Sequence, residues 1–442
     1  MDPARERLLA ALRERAARGS PLTATQQGIW LAEQLDPAVS GYHDTAVLRI
    51  EGPLDREVLR RTVEHVRAGH EALRCRLVTD GDEPRQVFDV GAIDWGYVDL
   101  SGLSAEGRGA RLDRLVTVAA GEPFDLVTGP LWRLRLVRTG AAEHVLVVVV
   151  HHLVADGWSH GLLLEALLTG YAALAAAVPP PPGRPGYARW LAERVRRERE
   201  AAAGGTARVI AADLPAPYRL RLPELDPSVA DRAADEIELP IPAADWAAFG
   251  VACRRGGGTP FAALTGLFGL LLSQATGQDG VLLSAPVAGR YDERSGRLLG
   301  CLINVVPIHL PVSAGDSPAA AAEAGARALG RALRHADLPY RDVVRAARRL
   351  PPGDDPLTNV GVEEFNAPVS AVSVGPLRVV PLPRGQVRLR HDLTLTVPAV
   401  PGRPVTLCFP RARWRSGRVA ALARDLAALI QAAQGETAAR HA

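Results

Sequence analysis

A hydrophobic run, Val147-Val148-Val149-Val150, ends abruptly in His151-His152, and Asp156 and Gly157 follow the second histidine closely. An imidazole titrates near neutrality, so it can take a proton from an attacking nucleophile. A carboxylate at Asp156 can orient that ring, or it can be a buried anion that needs an arginine. Gly157 has no side chain, which lets backbone and substrate approach closely, and an N–H near a helix start can stabilise an oxyanion. A metal reading competes, because His152, Asp156 and His160 are spaced by four. Gly157 interrupts that helix, however, and no third ligand is held firmly on one face, so no metal is assigned. A purely structural histidine is the remaining reading.

The elements around these residues must hold them rigidly. Residues 143–151 read as a buried strand and 162–177 as a helix, so an imidazole is delivered at the tip of a sheet. Successive strand residues face opposite sides, so His151 and His152 cannot both enter one cleft, and at most one does chemistry. His151 more readily satisfies a core hydrogen bond. Trp158 is packing or a wall of the site, and Ser159 caps the helix or hydrogen-bonds near the reacting centre.

Along the chain, residues 3–18 have helical spacing, as a capping helix or a docking segment for a partner protein. Helices are predicted at 23–35 and 55–68, with strands at 45–51 and 84–90. Val178-Pro179-Pro180-Pro181-Pro182-Gly183 is a stiff extended linker, followed by a charged helix over 187–203 that ends at Gly204-Gly205. The second half mixes strands (236–239, 280–284, 377–381, 392–398) with helices (243–254, 260–275, 317–334, 340–348, 416–433). This pattern predicts an α/β (α+β) chain of two lobes: 1–177, a linker and helix over 178–205, and 206–442. Gly315-Asp316-Ser317 is a loop and helix cap.

Composition narrows the function classes. Of 442 residues, 47% are hydrophobic and 23% charged, with a net charge of +3, which suits a folded soluble protein and gives no footprint for nucleic acid. All 52 basic residues are Arg. Cysteines 75, 253, 301 and 408 form no C-x-x-C pair and read as core residues of a reducing compartment. There is no uncharged apolar run long enough for a membrane span and no signal-peptide core, so a cytoplasmic location is expected.

Seven motifs in order resemble the condensation domain of nonribosomal peptide synthesis, over about residues 20–430. H-H-x-x-x-D-G stands at His151 to Gly157. Gln26 to Trp30 with Gln34-Leu35-Asp36-Pro37 resembles the opening motif, and Gly69-His70-Glu71-Ala72-Leu73-Arg74 the R/G-H-E-x-L-R motif. Tyr187-Ala188-Arg189-Trp190, Ala285-Pro286-Val287-Ala288-Gly289-Arg290, Gly300-Cys301-Leu302-Ile303-Asn304 and His335-Ala336-Asp337-Leu338-Pro339-Tyr340 match later motifs. Leu357-Thr358-Asn359-Val360-Gly361 departs from peptide-extending members and is nearer to free-standing, starter-like relatives.

The resemblance implies two lobes like chloramphenicol acetyltransferase, forming a V-shaped pseudo-dimer with the active site in a tunnel between them. A floor loop is implied near 284–300 and a latch-like segment near 355–400. It implies an acyltransferase, free-standing because no adenylation domain is present, that binds no cofactor tightly. Carrier proteins would present a phosphopantetheine-tethered acyl thioester to an amine or hydroxyl acceptor, tethered or small and free. His152 is then the general base or nucleophile positioner, with Asp156 and Gly157 as its catalytic companions. Asp156 is expected to pair with Arg290. His151, Trp158, Ser159 and Asn359 are expected to contact substrate, Asn304 to tie backbone together, and Arg74 to form a structural ion pair with Glu71. Alternatives are an acyl-coenzyme A-dependent acyltransferase and a silent recruitment platform; the intact H-H-x-x-x-D-G opposes the latter, and Trp158 opposes an epimerase.

Overall fold

Val145 to Val150 are each at most 2% exposed, and such a run is buried only in a strand that is paired on both edges and covered on both faces. The computed structural model shows how this is done. It describes residues 19–35, 42–80, 83–215, 219–347, 357–365, 371–382, 389–399 and 403–441. The expected helix over 3–18 lies outside the described residues.

In chain order, β1 (Ser20–Pro21) and α1 (Ala24–Leu35) precede β2 (His43–Glu51) and α2 (Arg56–Gly69). Asp55 caps α2 by accepting the Glu57 and Val58 N–H groups, which offsets part of the orphaned-donor cost at a helix start. There follow β3 (Arg76–Asp80), β4 (Glu83–Val87), β5 (Asp94–Asp99), α3 (Ala105–Gly121), β6 (Trp132–Gly140), β7 (Glu143–His151), α4 (Gly157–Ala175) and α5 (Tyr187–Ala203). The second half contains α6 (Thr206–Ala212), β8 (Ala234–Glu238), α7 (Ala243–Arg255), α8 (Pro260–Thr276), β9 (Val281–Val287), α9 (Glu293–Gly296), β10 (Asn304–Leu310), α10 (Pro318–Leu333) and α11 (Tyr340–Ala347). It ends with β11 (Val360–Phe365), β12 (Val372–Val374), β13 (Leu377–Leu382), β14 (Leu393–Pro398), β15 (Thr406–Pro410) and α12 (Arg418–His441).

The chain forms two compact units. The first comprises residues 1–199 with 288–303 and 367–385, and the second 200–287, 304–366 and 386–442. In the first unit a six-stranded sheet runs in the order β12-β13-β2-β7-β6-β5. Alternation along β7 splits its side chains between two cores. Leu146, Val148 and Val150 join the large cluster with Leu163 and Leu167 of α4, while Val145, Val147 and Val149 meet Val116 and Ala119 of α3. Each such side chain contributes roughly 1.5–3 kcal/mol by leaving water.

The second unit has its own six-stranded sheet, β10-β9-β11-β14-β15-β8, with α8, α10 and α12 packed into its core. α8 and α10 cross closely because both present glycine. A Cβ on Gly266 would lie 1.9 Å from the Ala321 carbonyl oxygen. Ser317 caps α10 by accepting the Ala320 N–H.

Strands β1, β3, β5, β6, β10, β11, β12 and β15 and helices α3, α6 and α9 were not predicted from the sequence. α3 buries only Val116 and Ala119, so it carries little helical stripe, and every residue of β5 except the exposed Asp99 is half-buried, which removes the alternation that marks a strand.

Candidate functional site

The site begins where β7 ends. β2 and β7 are antiparallel with His43 opposite His151 and Asp44 opposite Val150, and the His152 N–H continues the pairing to the Tyr42 carbonyl (2.8 Å). Four polar side chains therefore gather at one end of a rigid pair of strands.

His152 is the reachable one. Its Nδ1 lies 3.0 Å from the Ala155 carbonyl. A carbonyl only accepts, so Nδ1 carries the proton and Nε2 keeps its lone pair in the neutral ring. The side chain is 25% exposed, and Nε2 is 3.5 Å from Asp44 Oδ2.

His151 faces the opposite way and is fully buried. Its Nδ1 accepts the Leu153 N–H, and its edges meet His43 and Phe124. The substrate contact expected for His151 is corrected here, because a sealed ring offers no surface to a ligand. Burial holds its pKa below the usual histidine value, against the opposing pull of Glu33.

Glu33, His43 and His151 place three ligand-type atoms within 4.8 Å of one another. Their proton inventory suits a hydrogen-bonded water better than a cation. His43 Nδ1 donates to the Ala120 carbonyl, leaving Nε2 as an acceptor, whereas His151 must carry its proton on Nε2. One donor and two acceptors do not supply the three lone pairs a divalent ion requires.

Asp156 is structural in its contacts. It caps α4 by accepting the Ser159 N–H (2.8 Å) and also accepts the Leu302 N–H (2.9 Å). Arg290 donates to both of its oxygens, at 2.7 and 2.9 Å. Both side chains of this pair are 3% exposed. Gly289 sets up the approach of Arg290: its φ is +65°, and a Cβ there would lie 2.1 Å from the Leu302 carbonyl oxygen.

Ser159, expected to touch substrate, is instead fully buried. Its hydroxyl donates to the Gly300 carbonyl and accepts from Arg290 and the Gly300 N–H, which uses its hydrogen-bonding capacity inside the fold. Trp158 is 41% exposed, with its indole N–H donated to the Gly296 carbonyl. Gly157 is exposed at the first position of α4, and a Cβ there would meet nothing within 4 Å.

Four further residues have partners of their own. Arg74 and Glu71 do not pair. Glu71 accepts the Gly186 and Ala188 N–H groups at the start of α5, and Arg74 donates to the Phe88 carbonyl. In the second unit, Asn304 donates to the Ala336 and Leu338 carbonyls. Asn359 is 3% exposed. Its amide oxygen accepts the Leu220 N–H, and its nitrogen donates to the Leu220 carbonyl and Asp392. The substrate-orienting role expected of Asn359 is therefore corrected to a backbone tie.

Asp44, His43 and Glu33 were missed in the sequence. Their one local signal is the His43-Asp44 pair at the start of a strand, and it gains meaning only from the β2–β7 register.

Among the described residues, no single helix is long and apolar enough to cross a membrane. The Condensation domain family model matches residues 17–434. A linear gramicidin synthase of Brevibacillus parabrevis is 30% identical over 93% of this chain, and the match spans 8% of that protein. Isonitrile lipopeptide synthase of Mycobacterium tuberculosis is 31% identical over 88% of this chain, or 16% of its own length. The chain thus spans a small part of these relatives. Among solved structures, the starter condensation domain of rhizomide synthetase RzmA in complex with C8-CoA superposes with a TM-score of 0.78 at 21% identity, covering 96% of this chain and 97% of that one. The X-domain in its complex with OxyB from teicoplanin biosynthesis gives 0.80 at 22% identity, covering 95% and 94%. These likenesses show the two-lobed fold shared with chloramphenicol acetyltransferase. By the family model and by identity over nearly its whole length, the chain belongs to the condensation domain family of nonribosomal peptide synthetases.

Proposed function

We propose that this chain joins an acyl or aminoacyl thioester, tethered to a carrier protein's phosphopantetheine, to an amine acceptor, with His152 as general base. The observation that carries the reading is the state of that ring. Nδ1–H is held by the Ala155 carbonyl, and Nε2 is left as an acceptor on a side chain a quarter exposed. The attacking nitrogen must lose a proton, and Nε2 can accept it. The C–N bond forms, the C–S bond breaks, and the proton passes through Nε2 to the departing sulfur.

Gly157 supports the second part of the reading. Neither crowding nor a positive φ calls for glycine there, which fits an acyl group approaching from outside the chain. The start of α4 favours negative charge, so an oxyanion forming there is stabilised. Asp156 and Arg290 serve by holding the helix start and the 288–303 segment together.

The rival donor is acyl-coenzyme A, since the rhizomide starter domain was solved with C8-CoA. The test offers purified protein one acyl group on a carrier protein and on coenzyme A, with an amine acceptor, and follows amide by mass spectrometry. Product from the carrier-bound donor supports the proposal. Product from coenzyme A alone replaces it with a coenzyme A-dependent acyltransferase, and product from neither replaces it with a recruitment platform.

A further inference from the structure

We propose that Gln26 is a positioning residue that sets which nitrogen of His152 carries the proton; this rests on the reading of His152 given above. Thr23-Ala24-Thr25-Gln26 opens α1 as a capping box. Thr23 Oγ1 accepts the Gln26 N–H (3.2 Å), and Gln26 Oε1 accepts the Thr23 N–H (3.0 Å). A backbone N–H only donates, so the other end of the Gln26 amide is its NH2. That group reaches the Leu153 carbonyl (2.7 Å), inside the turn that follows β7. The contact is sealed, because Gln26 is fully buried and Leu153 is 1% exposed.

The turn from His152 to Asp156 decides where the Ala155 carbonyl points. Its ends are fixed by backbone and by the Arg290 pair. The His152 N–H meets the Tyr42 carbonyl, and Asp156 is held by Arg290 and by the Ser159 and Leu302 N–H groups. In the middle, side chains grip Leu153 on both sides. His151 Nδ1 accepts its N–H (3.1 Å), and Gln26 donates to its carbonyl. Gln26 is the tie that comes from another element, 127 residues away in the chain. A buried carbonyl keeps a donor, so without Gln26 the turn shifts until Leu153 finds another. The Ala155 carbonyl, two residues on, shifts with it.

The bond at stake is His152 Nδ1–H to the Ala155 carbonyl (3.0 Å). In a neutral imidazole, the partner of one ring nitrogen fixes the tautomer. Two groups compete for that choice here. The Ala155 carbonyl holds the proton on Nδ1, while the negative Asp44 carboxylate, 3.5 Å from Nε2, favours it there. As long as the turn keeps its shape, Nδ1 wins, and Nε2 has the lone pair that takes a proton from the attacking amine. With the carbonyl withdrawn, the proton passes to Nε2. The ring then presents a donor where the reaction needs an acceptor. Gln26 acts through the turn and the ring and touches no substrate.

The experiment reads the tautomer of His152 by proton–nitrogen NMR correlations on the chain with isotope-labelled histidine, using His152→Ala to assign the ring. In parallel, kcat and KM are measured for an amine acceptor with a carrier-bound acyl donor. Wild type is expected to carry the proton on Nδ1. Gln26→Met, of similar length and without a donor, is expected to move it to Nε2. It should lower kcat about tenfold or more, with the acceptor KM changed less than about twofold. Thr23→Ala breaks half of the capping box and spares the Leu153 tie, so it should lower the melting temperature while tautomer and kcat stay those of wild type. An Nε2–H ring in wild type, an unchanged ring in Gln26→Met, or the same change in Thr23→Ala overturns the proposal, because a residue that only steadied α1 would act as Thr23 does. If Gln26→Met melts below the assay temperature, Gln26→Asn takes its place. It keeps the amide but falls one methylene short of Leu153, and the same change is expected. A moved proton with unchanged kcat supports the role of Gln26 and overturns His152 as general base. If wild type makes no product, the condensation reading fails by itself, and the ring spectra still decide the role of Gln26.

Discussion

Removing the Arg290 side chain strips a buried carboxylate of its counter-ion. Asp156 and Arg290 are both 3% exposed, and two short bonds join them. Deleting one partner of such a pair costs about 3–5 kcal/mol, since the remaining charge stays in a poorly solvated place. In Arg290→Ala, Asp156 still accepts the Ser159 and Leu302 N–H groups, and those bonds soften the loss. The expected cost is therefore near the lower end, about 3 kcal/mol. At about 2–4 °C per kcal/mol for a unit of this size, the melting temperature should fall by roughly 6–12 °C. Hydrogen exchange within 288–303 should accelerate, because Arg290 also donates to Ser159 and to the Leu298 carbonyl. A double-mutant cycle with Asp156→Ala isolates the pair, with an expected coupling of about 1–3 kcal/mol. A cost below about 0.5 kcal/mol with additive single effects, as at a surface pair, would refute the reasoning.

Two further outcomes follow from the same geometry. His391 accepts or donates to Ser284 at 2.7 Å, and burial, reinforced by Arg390, Arg232 and Arg219, pushes its pKa down to about 4. Below about pH 6.5 the unfolded chain takes up a proton at this ring and the folded chain does not, so stability should fall as pH drops from about 6.5 toward 4. The loss is about 2 kcal/mol at pH 5 from this one group; melting curves at pH 7 and 5 should show it, and His391→Asn should shrink the difference by that share, the rest coming from other buried histidines such as His70, whose pKa burial also lowers to about 4. Gly289→Ala must place a Cβ 2.1 Å from the Leu302 carbonyl oxygen at a φ of +65°. It should destabilise by about 2 kcal/mol or more and lose the Arg290 contacts; a wild-type melting curve would contradict this.

The sequence was most legible where pattern and burial coincide. The valine run of β7 could only be a central strand, and α5 is bounded by a proline-rich stretch before it and two glycines after it. It was least legible where function depends on pairing between distant segments. Arg290 lies 134 residues from Asp156, and no local period reports that contact. Asp44 reads as an ordinary strand-edge residue until the β2–β7 register sets it beside His152. Glu71 and Arg74, three apart, looked like partners. The N–H groups at the start of α5 claim Glu71, because unsatisfied donors at a helix start compete strongly for a carboxylate. Asn359 misled for a similar reason: a lone amide in an apolar strand signals a required partner, and the Leu220 backbone supplies it.

The most direct test of the central claim is single-turnover amide formation from a carrier-bound acyl thioester, measured by intact mass for wild type and His152→Ala, with melting curves alongside. Loss of the general base should slow the reaction by roughly 10²–10⁴-fold while the melting temperature stays near wild type, since the ring is partly exposed and makes one backbone hydrogen bond. Wild-type speed from a folded His152→Ala protein would contradict the account.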